Sequence, residues 1–385
     1  MSITELRKFL APEIVFGTGA IKRVGQYARL YGARRALLVT DAGVMAAGWS
    51  GCVAAALEAE EVDHRVFSQV TPNPRAEEVM AGAELHRSAG CDLIIAVGGG
   101  SPLDCAKGIG IVVANPGSIL DYEGIDKISM PMPPLICVPT TAGSSADVSQ
   151  FAIITDRETS RKLAIISKAV VPDVSIIDPQ TLTTMDAYLT ACTGLDALVH
   201  AIEAYVSNAS SPLTDLHALQ ATRLIAANLL PSLAHPETLH HREQMMLGSL
   251  EAGLAFSNAS LGAVHAMAHS LGGLLDIPHG ECNAMLLEHV VAYNFTEASE
   301  RYREVGTALG LAMQGLTGAD CRQAVFSEIR RLRHAAGIAG GLGRCGVGAT
   351  DLPRLAANAM RDACMATNPR RAVEADIVAV YAEAL

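Results

Sequence analysis

The sequence predicts two domains of different class, a mostly parallel α/β domain over residues 1–181 and an all-α domain over residues 182–385. Three observations predict it. Up to about residue 180, apolar and β-branched runs alternate with Ala-rich helical stretches, the pattern of a parallel sheet covered by helices. From Leu182 to Leu385 strand signals vanish, and Ala, Leu and Met recur at helical spacings. A chain of 385 residues, 50% of them hydrophobic, is long and apolar enough for two packed cores.

Taken in order, the N-terminal stretch M-S-I-T-E-L-R-K-F-L-A-P-E lacks the apolar core of a signal segment, and no run of about 18 apolar residues follows. Gly17-Thr18-Gly19 lacks the third glycine of a dinucleotide fingerprint and reads as a turn. Ala36 to Thr40 is the first clear strand. Asp41 closes it, where a carboxylate accepts from a ribose 2′-hydroxyl and repels a 2′-phosphate, favouring NAD over NADP. The same position suits a plain N-cap for the next helix, and the residues leave both readings open.

Leu93 to Val97 is a continuous apolar run, suited to a strand buried on both faces. It leads straight into Gly98, Gly99 and Gly100, which let the backbone turn tightly and approach a ligand without side-chain obstruction. Ser101 then reads as an N-cap, Pro102 as the first helical residue and Asp104 as the N3 acid of a capping arrangement. Backbone N–H groups at such a helix start suit a pyrophosphate. After the strand Leu135 to Val138, the hydroxyl-rich loop Pro139 to Asp147 places Thr140, Thr141, Gly143 and Ser144 to line a nucleotide cleft at the carboxyl end of the sheet. A-I-I-T-D and K-L-A-I-I-S, parted by the charged turn Arg157 to Ser160, predict a hairpin at the sheet edge, and Val174 to Asp178 predicts one more strand.

In the helical half, chemistry gathers in two segments. Gly262 to Gly280 reads G-A-V-H-A-M-A-H-S-L-G-G-L-L-D-I-P-H-G, with His265 and His269 four apart and therefore on one helix face. Pro278 and Gly280 bracket His279, so the third imidazole comes from the turn after that helix. Asp196 and His200, in G-L-D-A-L-V-H-A-I-E-A-Y, are again four apart. One carboxylate and two or three imidazoles fit a divalent transition metal with an open position. The charged blocks Arg301 to Glu304 and Glu328 to His334 read as solvated helix faces, and Gly337 to Gly348, with six glycines, as a loop.

Charge and cysteine usage narrow the partners. Lys and Arg number 29 against 40 Asp and Glu, a net charge of -11 that disfavours attraction to nucleic acid or an anionic membrane. Nine cysteines include no C-x-x-C pair and read as reduced, mostly buried thiols. The expectation is a soluble cytoplasmic protein with a small-molecule partner.

Through these motifs the chain resembles the iron-containing, or group III, alcohol dehydrogenases, from F-G-T-G near Phe16 to N-P-R at Asn368. The marks are G-G-G-S-P-L-D-C-A-K, P-T-T-A-G, G-L-D-A-L-V-H-A-I-E-A-Y, H-A-M-A-H-S-L-G-G and P-H-G-E-C-N-A, in the family's order and spacing. The resemblance implies a Rossmann-like nucleotide-binding domain followed by a helical domain, the dehydroquinate synthase-like architecture. It implies Asp196, His200, His265 and His279 as metal ligands and His269 as a catalytic residue beside the nicotinamide. Gly98, Gly99, Gly100 and Ser101 would carry the pyrophosphate of NAD. Asp41, Asn73, Asp104, Thr140, Thr141, Ser144, Lys162 and Leu182 would surround the rest of the cofactor, and Phe151, Phe256 and Cys364 the substrate. The family's name argues for Fe(II), with zinc the alternative, as in the glycerol dehydrogenases of the same superfamily. Many members are homodimers, which sets the expectation here.

Two departures from the family's pattern stand out. Ser144, Ser145, Ala146 and Asp147 replace its usual T-G-S-E, with Phe151 where a polar residue is common, and Glu288 replaces the proline of L-L-P-H-V. The S-S-A-D variant also resembles proteins that regulate bacterial ethanol oxidation. The implied activity is therefore an NAD-dependent alcohol dehydrogenase or aldehyde reductase on short primary alcohols, and the alternative is a weakly active NAD- and metal-binding homologue that senses or regulates.

Overall fold

The computed structural model of the chain describes residues 7–159, 161–275 and 277–385. By their packing these divide into two compact units, one spanning Ala11–Thr184 and one spanning Met185–Leu385 together with residues 7–10.

The α/β unit contains strands β1 (Glu13–Phe16), β2 (Arg35–Val39), β3 (Asp63–Phe67), β4 (Leu93–Gly98), β5 (Gly124–Ile125), β6 (Leu135–Pro139), β7 (Phe151–Asp156), β8 (Arg161–Ile166) and β9 (Val174–Ile177). Six of them form one parallel sheet in the order β1-β9-β6-β4-β2-β3. The four strands predicted from apolar runs are its four inner strands. Side chains alternate between two cores, as a strand period of two requires. Leu37, Val39, Ile94, Ala96, Leu135 and Cys137 face Val79, Leu103 and Ile109 on one side. Ala36, Leu38, Leu93, Ile95, Ile136 and Val138 face Val24, Val53 and Leu57 on the other.

Of the outer strands, β1 has only the three-residue run I-V-F and β3 has none of that length. β3 reads D-H-R-V-F, mostly exposed, with Asp63 paired to Arg35 at 2.6 Å; charge of this kind protects an open sheet edge. Gly17-Thr18-Gly19 is the expected turn, and the Gly19 N–H donates to Asp178 at 2.9 Å.

The predicted hairpin exists, as antiparallel β7 and β8, but its location is corrected. It joins β5 in a separate three-stranded sheet rather than extending the main sheet's edge. The reason is its apolar face. Ala152, Ile154 and Ile165 bury themselves in the core beneath the Gly100–Ala114 helix, with Ile109 and Val79, so the hairpin needs that helix as a partner rather than another strand.

The second unit is helical throughout its named elements. The long helices Ala187–Val206, Pro212–Ala234 and Leu239–Ala259 precede Ala263–Leu275 and His279–Asn294. Asp186 caps the first through the Leu189 N–H at 2.7 Å, and Ser211 caps the second with Pro212 at its start. Residues 7–10 join this unit because the Asn258 amide satisfies both the N–H and the carbonyl of Leu10. Among the described residues, no helix is long and apolar enough to cross a membrane.

The two charged blocks are not simply solvated faces. Arg301 lies over the Tyr205 ring at 4.0 Å and pairs with Asp215, and Arg303 donates to the carbonyls of Met313 and Leu316. Arg333 is buried and grips the fully buried Glu288 at 2.8 and 3.1 Å, with Arg330 adding a third contact at 3.1 Å. A helical period hides such residues because one face of an otherwise charged run still turns inward.

Candidate active site

In the helical unit, three helices bring four histidines into one cluster. Asp196 and His200 project from Ala187–Val206, His265 and His269 from Ala263–Leu275, and His279 is the first residue of the next helix, after Pro278. That last helix starts against the first one: a Cβ on Gly280 would stand 2.3 Å from the Cys192 carbonyl oxygen, so only glycine permits the approach. Donor atoms of Asp196, His265 and His279 all lie within 4.8 Å of one another. His265 Nε2 and His279 Nε2 each stand 3.9 Å from Asp196 Oδ1. His200 joins through its ring, stacked on His265 at 4.4 Å and on Phe256 at 4.3 Å, and is not part of the close donor group. The rings of His269 and His279 stack at 5.2 Å.

Two carboxylates that carried no role in the sequence reading hold these imidazoles. Glu203, buried one turn beyond His200, meets His265 Nδ1 at 2.6 Å. Its oxygens also accept the backbone N–H groups of Val264, at 2.7 Å, and His265, at 3.4 Å. Both oxygens are thus acceptors, so Nδ1 carries the hydrogen and Nε2 turns its lone pair toward Asp196. Burial pushes the Glu203 carboxyl up to about 7, while backbone N–H groups of Val264, Gly262 and His265 pull it back. Burial, then repulsion from His269, holds His265 well below the usual imidazole range, which keeps it neutral as a metal ligand must be.

Asp362 meets His269 Nδ1 at 2.8 Å and accepts the Cys364 N–H at 2.8 Å. Burial alone would raise its carboxyl, but attraction to His269 and the two hydrogen bonds take it well below the usual carboxylate range. Cys364, buried beside it, is pushed well above the usual thiol range by burial and by Asp362. Phe256 and Cys364, expected on the substrate side, therefore both lie in the histidine cluster. Glu203 and Asp362 were hard to find because each acts across a long stretch of chain, 62 and 93 residues.

In the α/β unit, the turn after β4 and the loop after β6 pack together. A Cβ on Gly98 would reach 2.5 Å from Pro102, one on Gly99 3.1 Å from Thr141, and one on Gly100 3.0 Å from Ser144. The Thr140 N–H donates to the Gly98 carbonyl at 2.9 Å, tying the two loops. The helix starts earlier than expected, at Gly100 with Gly99 as N-cap and no side-chain cap, so Ser101 is not the cap and Asp104 is not its N3 partner. Glycine tolerates the cap geometry without an oxygen of its own, which leaves the first N–H groups of the helix for another acceptor. Asp104 instead turns toward the hairpin. Burial raises its carboxyl to about 6, against the pull of Lys107, the Ile153 N–H and Lys162.

Asp41 does cap its helix, accepting the Val44 N–H at 2.8 Å through Oδ1. Asn73 takes a left-handed φ of 58°, and Leu182 is buried in the turn Pro179–Thr184. Phe151 is buried at the start of β7, and its carbonyl accepts from the buried Lys107 at 2.7 Å.

Comparison with known proteins decides what this architecture is. The iron-containing alcohol dehydrogenase pattern matches residues 11–179, and the C-terminal pattern of the Fe-containing alcohol dehydrogenase family matches residues 190–385. The chain belongs to the iron-containing alcohol dehydrogenase family. It is 42% identical over 380 residues to 1,3-propanediol dehydrogenase of Klebsiella pneumoniae, covering 98% of each chain. It is 37% identical over 377 residues to NAD-dependent methanol dehydrogenase of Bacillus methanolicus, covering 98% and 99%. A crystal structure of 1,3-propanediol oxidoreductase superposes with a TM-score of 0.96 at 41% identity, covering 99% and 100%. Membership makes the chain an alcohol or aldehyde oxidoreductase. These relatives are all enzymes and lend the sensing alternative no support.

Within an iron-containing alcohol dehydrogenase, both departures have a structural account. Glu288 stands where the family has proline and is matched by Arg333 and Arg330 from a neighbouring helix. Asp147, closing S-S-A-D, is buried and accepts from Ser175 on β9 at 2.6 Å, anchoring the loop to the sheet.

Proposed function

We propose that the protein interconverts short primary alcohols and aldehydes, with NAD(H) as hydride carrier and a divalent ion, Fe(II) ahead of zinc, at Asp196, His265 and His279, with His200 beside them. One observation carries the reading: a carboxylate oxygen and two imidazole nitrogens converge within 4.8 Å, and Glu203 fixes the tautomer of one of them. That donor set fits Fe(II) or Zn(II). When bound, the ion supplies Lewis-acid polarisation of a substrate oxygen and the nicotinamide supplies hydride exchange.

The chain's own residues do the rest. Asp196, His265 and His279, with His200 beside them, would hold the ion, and Phe256 and Cys364 would give the adjoining pocket apolar and weakly polar walls. His269, oriented by Asp362, holds and moves the alcohol proton at Nε2, the ring nitrogen left by the bond at Nδ1. In the α/β unit, helix-start N–H groups after Gly99 bind the pyrophosphate, with Thr140, Thr141, Ser144, Asn73, Lys162 and Leu182 around the remaining cofactor. Asp41 keeps Oδ2 for a ribose hydroxyl while Oδ1 caps, which selects NADH over NADPH. The reading includes a cytoplasmic homodimer, which light scattering on the purified protein tests.

The test of function is NADH and NADPH oxidation by anaerobically purified, Fe(II)-loaded protein against C2 to C6 aldehydes. NADH-selective turnover is expected. His269→Ala is expected to keep its metal and lose most turnover; loss of metal in that variant would remove His269 from the proton path. Retained iron and bound NADH without turnover of any aldehyde would end the dehydrogenase reading.

A further inference from the structure

Asn368, in the segment N-P-R, lies 105 residues along the chain from Ala263 and caps the helix that carries His265 and His269. A helix leaves its first four N–H groups without partners of its own, here those of Gly262, Ala263, Val264 and His265. Gly262 has no side chain to meet them, and a Cβ there would stand 2.9 Å from both Glu203 Oε1 and Asn368 Oδ1. Two distant side chains meet them instead. Glu203 accepts from Gly262, from Val264 at 2.7 Å and from His265 at 3.4 Å, while Asn368 Oδ1 accepts from Ala263 at 3.1 Å. Asn368 is buried, and Pro369 restricts it to extended backbone, as its φ of -61° and ψ of 135° show. Its Nδ2 donates to the Arg370 carbonyl at 2.6 Å and to Asn294 Oδ1 at 2.8 Å, and Asn294 Nδ2 returns a bond to Asn368 Oδ1 at 2.8 Å. A carbonyl only accepts and an N–H only donates, so the amide has one orientation, with Oδ1 toward Ala263.

A carboxylate offers about four lone-pair sites. At Glu203 three go to backbone N–H groups and the fourth to His265 Nδ1, at 2.6 Å. Ala263 is fully buried, so without Asn368 its N–H would have to compete for Glu203. The imidazole bond is the one of the four that the helix backbone does not fix, and it is the one that gives way. We infer that Asn368 is a positioning residue for His265: by taking the Ala263 N–H it reserves a Glu203 lone pair for Nδ1, and so keeps Nε2 as the nitrogen turned toward Asp196. The consequence for ion binding rests on the metal reading above. The tautomer itself does not.

The experiment uses full-length, chelator-stripped protein carrying nitrogen-15 histidine, with the His265 signals assigned by their loss in His265→Gln. Wild type is expected to show His265 with its hydrogen on Nδ1. Asn368→Ala is expected to move the tautomer ratio about tenfold toward Nε2–H, the scale of one buried hydrogen bond converted to an equilibrium constant. It is also expected to bind Co(II) about tenfold more weakly, in competition with a chelator of known affinity, with a shifted visible band. Asn294→Ala removes the reciprocal amide pair but leaves the Asn368 oxygen on Ala263. It should lose comparable thermal stability and keep the wild-type tautomer and band. Asn368→Asp, which keeps an oxygen for the Ala263 N–H, should restore both. An unchanged tautomer in Asn368→Ala, or an equal shift in Asn294→Ala, would overturn the inference and leave Asn368 a packing residue. Should the alanine variant not fold, Asn368→Ser, too short to reach the Ala263 N–H, takes its place with the same expectations. Failure of wild type to take up Co(II) would overturn the metal reading, while the tautomer ratio would still decide the role of Asn368.

Discussion

The glycine corner of the α/β unit and the histidine cluster of the helical unit are made of opposite materials. At Gly98 to Gly100 the groups proposed to bind the cofactor are backbone N–H donors, and the turn's packing depends on side chains being absent: the nearest atoms of Pro102, Thr141 and Ser144 stand where a Cβ would press. In the cluster the candidate groups are side chains, and two of the imidazoles have a carboxylate behind them. Glu203 backs His265 and Asp362 backs His269. One site is therefore damaged by adding atoms and the other by removing them, and each lies within its own unit.

Deletions in the helical unit give the largest expected effect. His265→Ala should lower aldehyde turnover by roughly 1000-fold or more, because it removes a ligand rather than a support, with metal content by mass spectrometry falling in parallel. Retained metal would separate His265 from the ion and break the contrast. An addition in the other unit tests the complementary half: Gly99→Val, with branches directed at Thr141, should weaken NADH binding on the order of 100-fold while metal content stays at the wild-type level. Fluorescence titration reads it, and loss of metal in that variant would deny that the two sites are separable.

Supports should matter less than the groups they hold. Glu203→Gln keeps the shape but weakens the hold on His265, and metal affinity is expected to fall about 30-fold in a chelator competition. Asp362→Asn should reduce turnover about tenfold without loss of metal. The same variant has a pH signature. Asp362 sits below its ordinary value of 3.8, so its stabilising contribution is present above about pH 4 and is lost as pH falls through the lowered value. Wild type should thus exceed the variant in unfolding free energy by about 2 kcal/mol near pH 6, with the gap narrowing progressively as pH falls below about 4. A gap independent of pH would mean that the carboxylate charge is not what holds His269.

The contrast also explains what could be read from the residues. β2, β4, β6 and β9 were legible because strands buried on both faces must be continuously apolar. The outer strands were not, since an edge such as D-H-R-V-F is charged for protection and shows no period. The hairpin was legible as a hairpin, yet its seat on the Gly100–Ala114 helix is a tertiary choice that no local pattern encodes. The histidines announced themselves through i,i+4 pairs. Glu203 sits in the same quoted motif as Asp196 and His200, but its partner lies 62 residues away and spacing says nothing about it. Likewise Arg333 hid in a charged run, its burial visible only once Glu288 faces it.

The most direct test of the account compares metal content and NADH binding in wild type and Asp196→Ala, both purified without oxygen and exposed to Fe(II). The account predicts about one ion per chain in wild type and essentially none in the variant, with the same NADH affinity in both, because the carboxylate belongs to the helical unit's donor group alone. Equal metal in the two proteins, or NADH binding lost together with the metal, would contradict it.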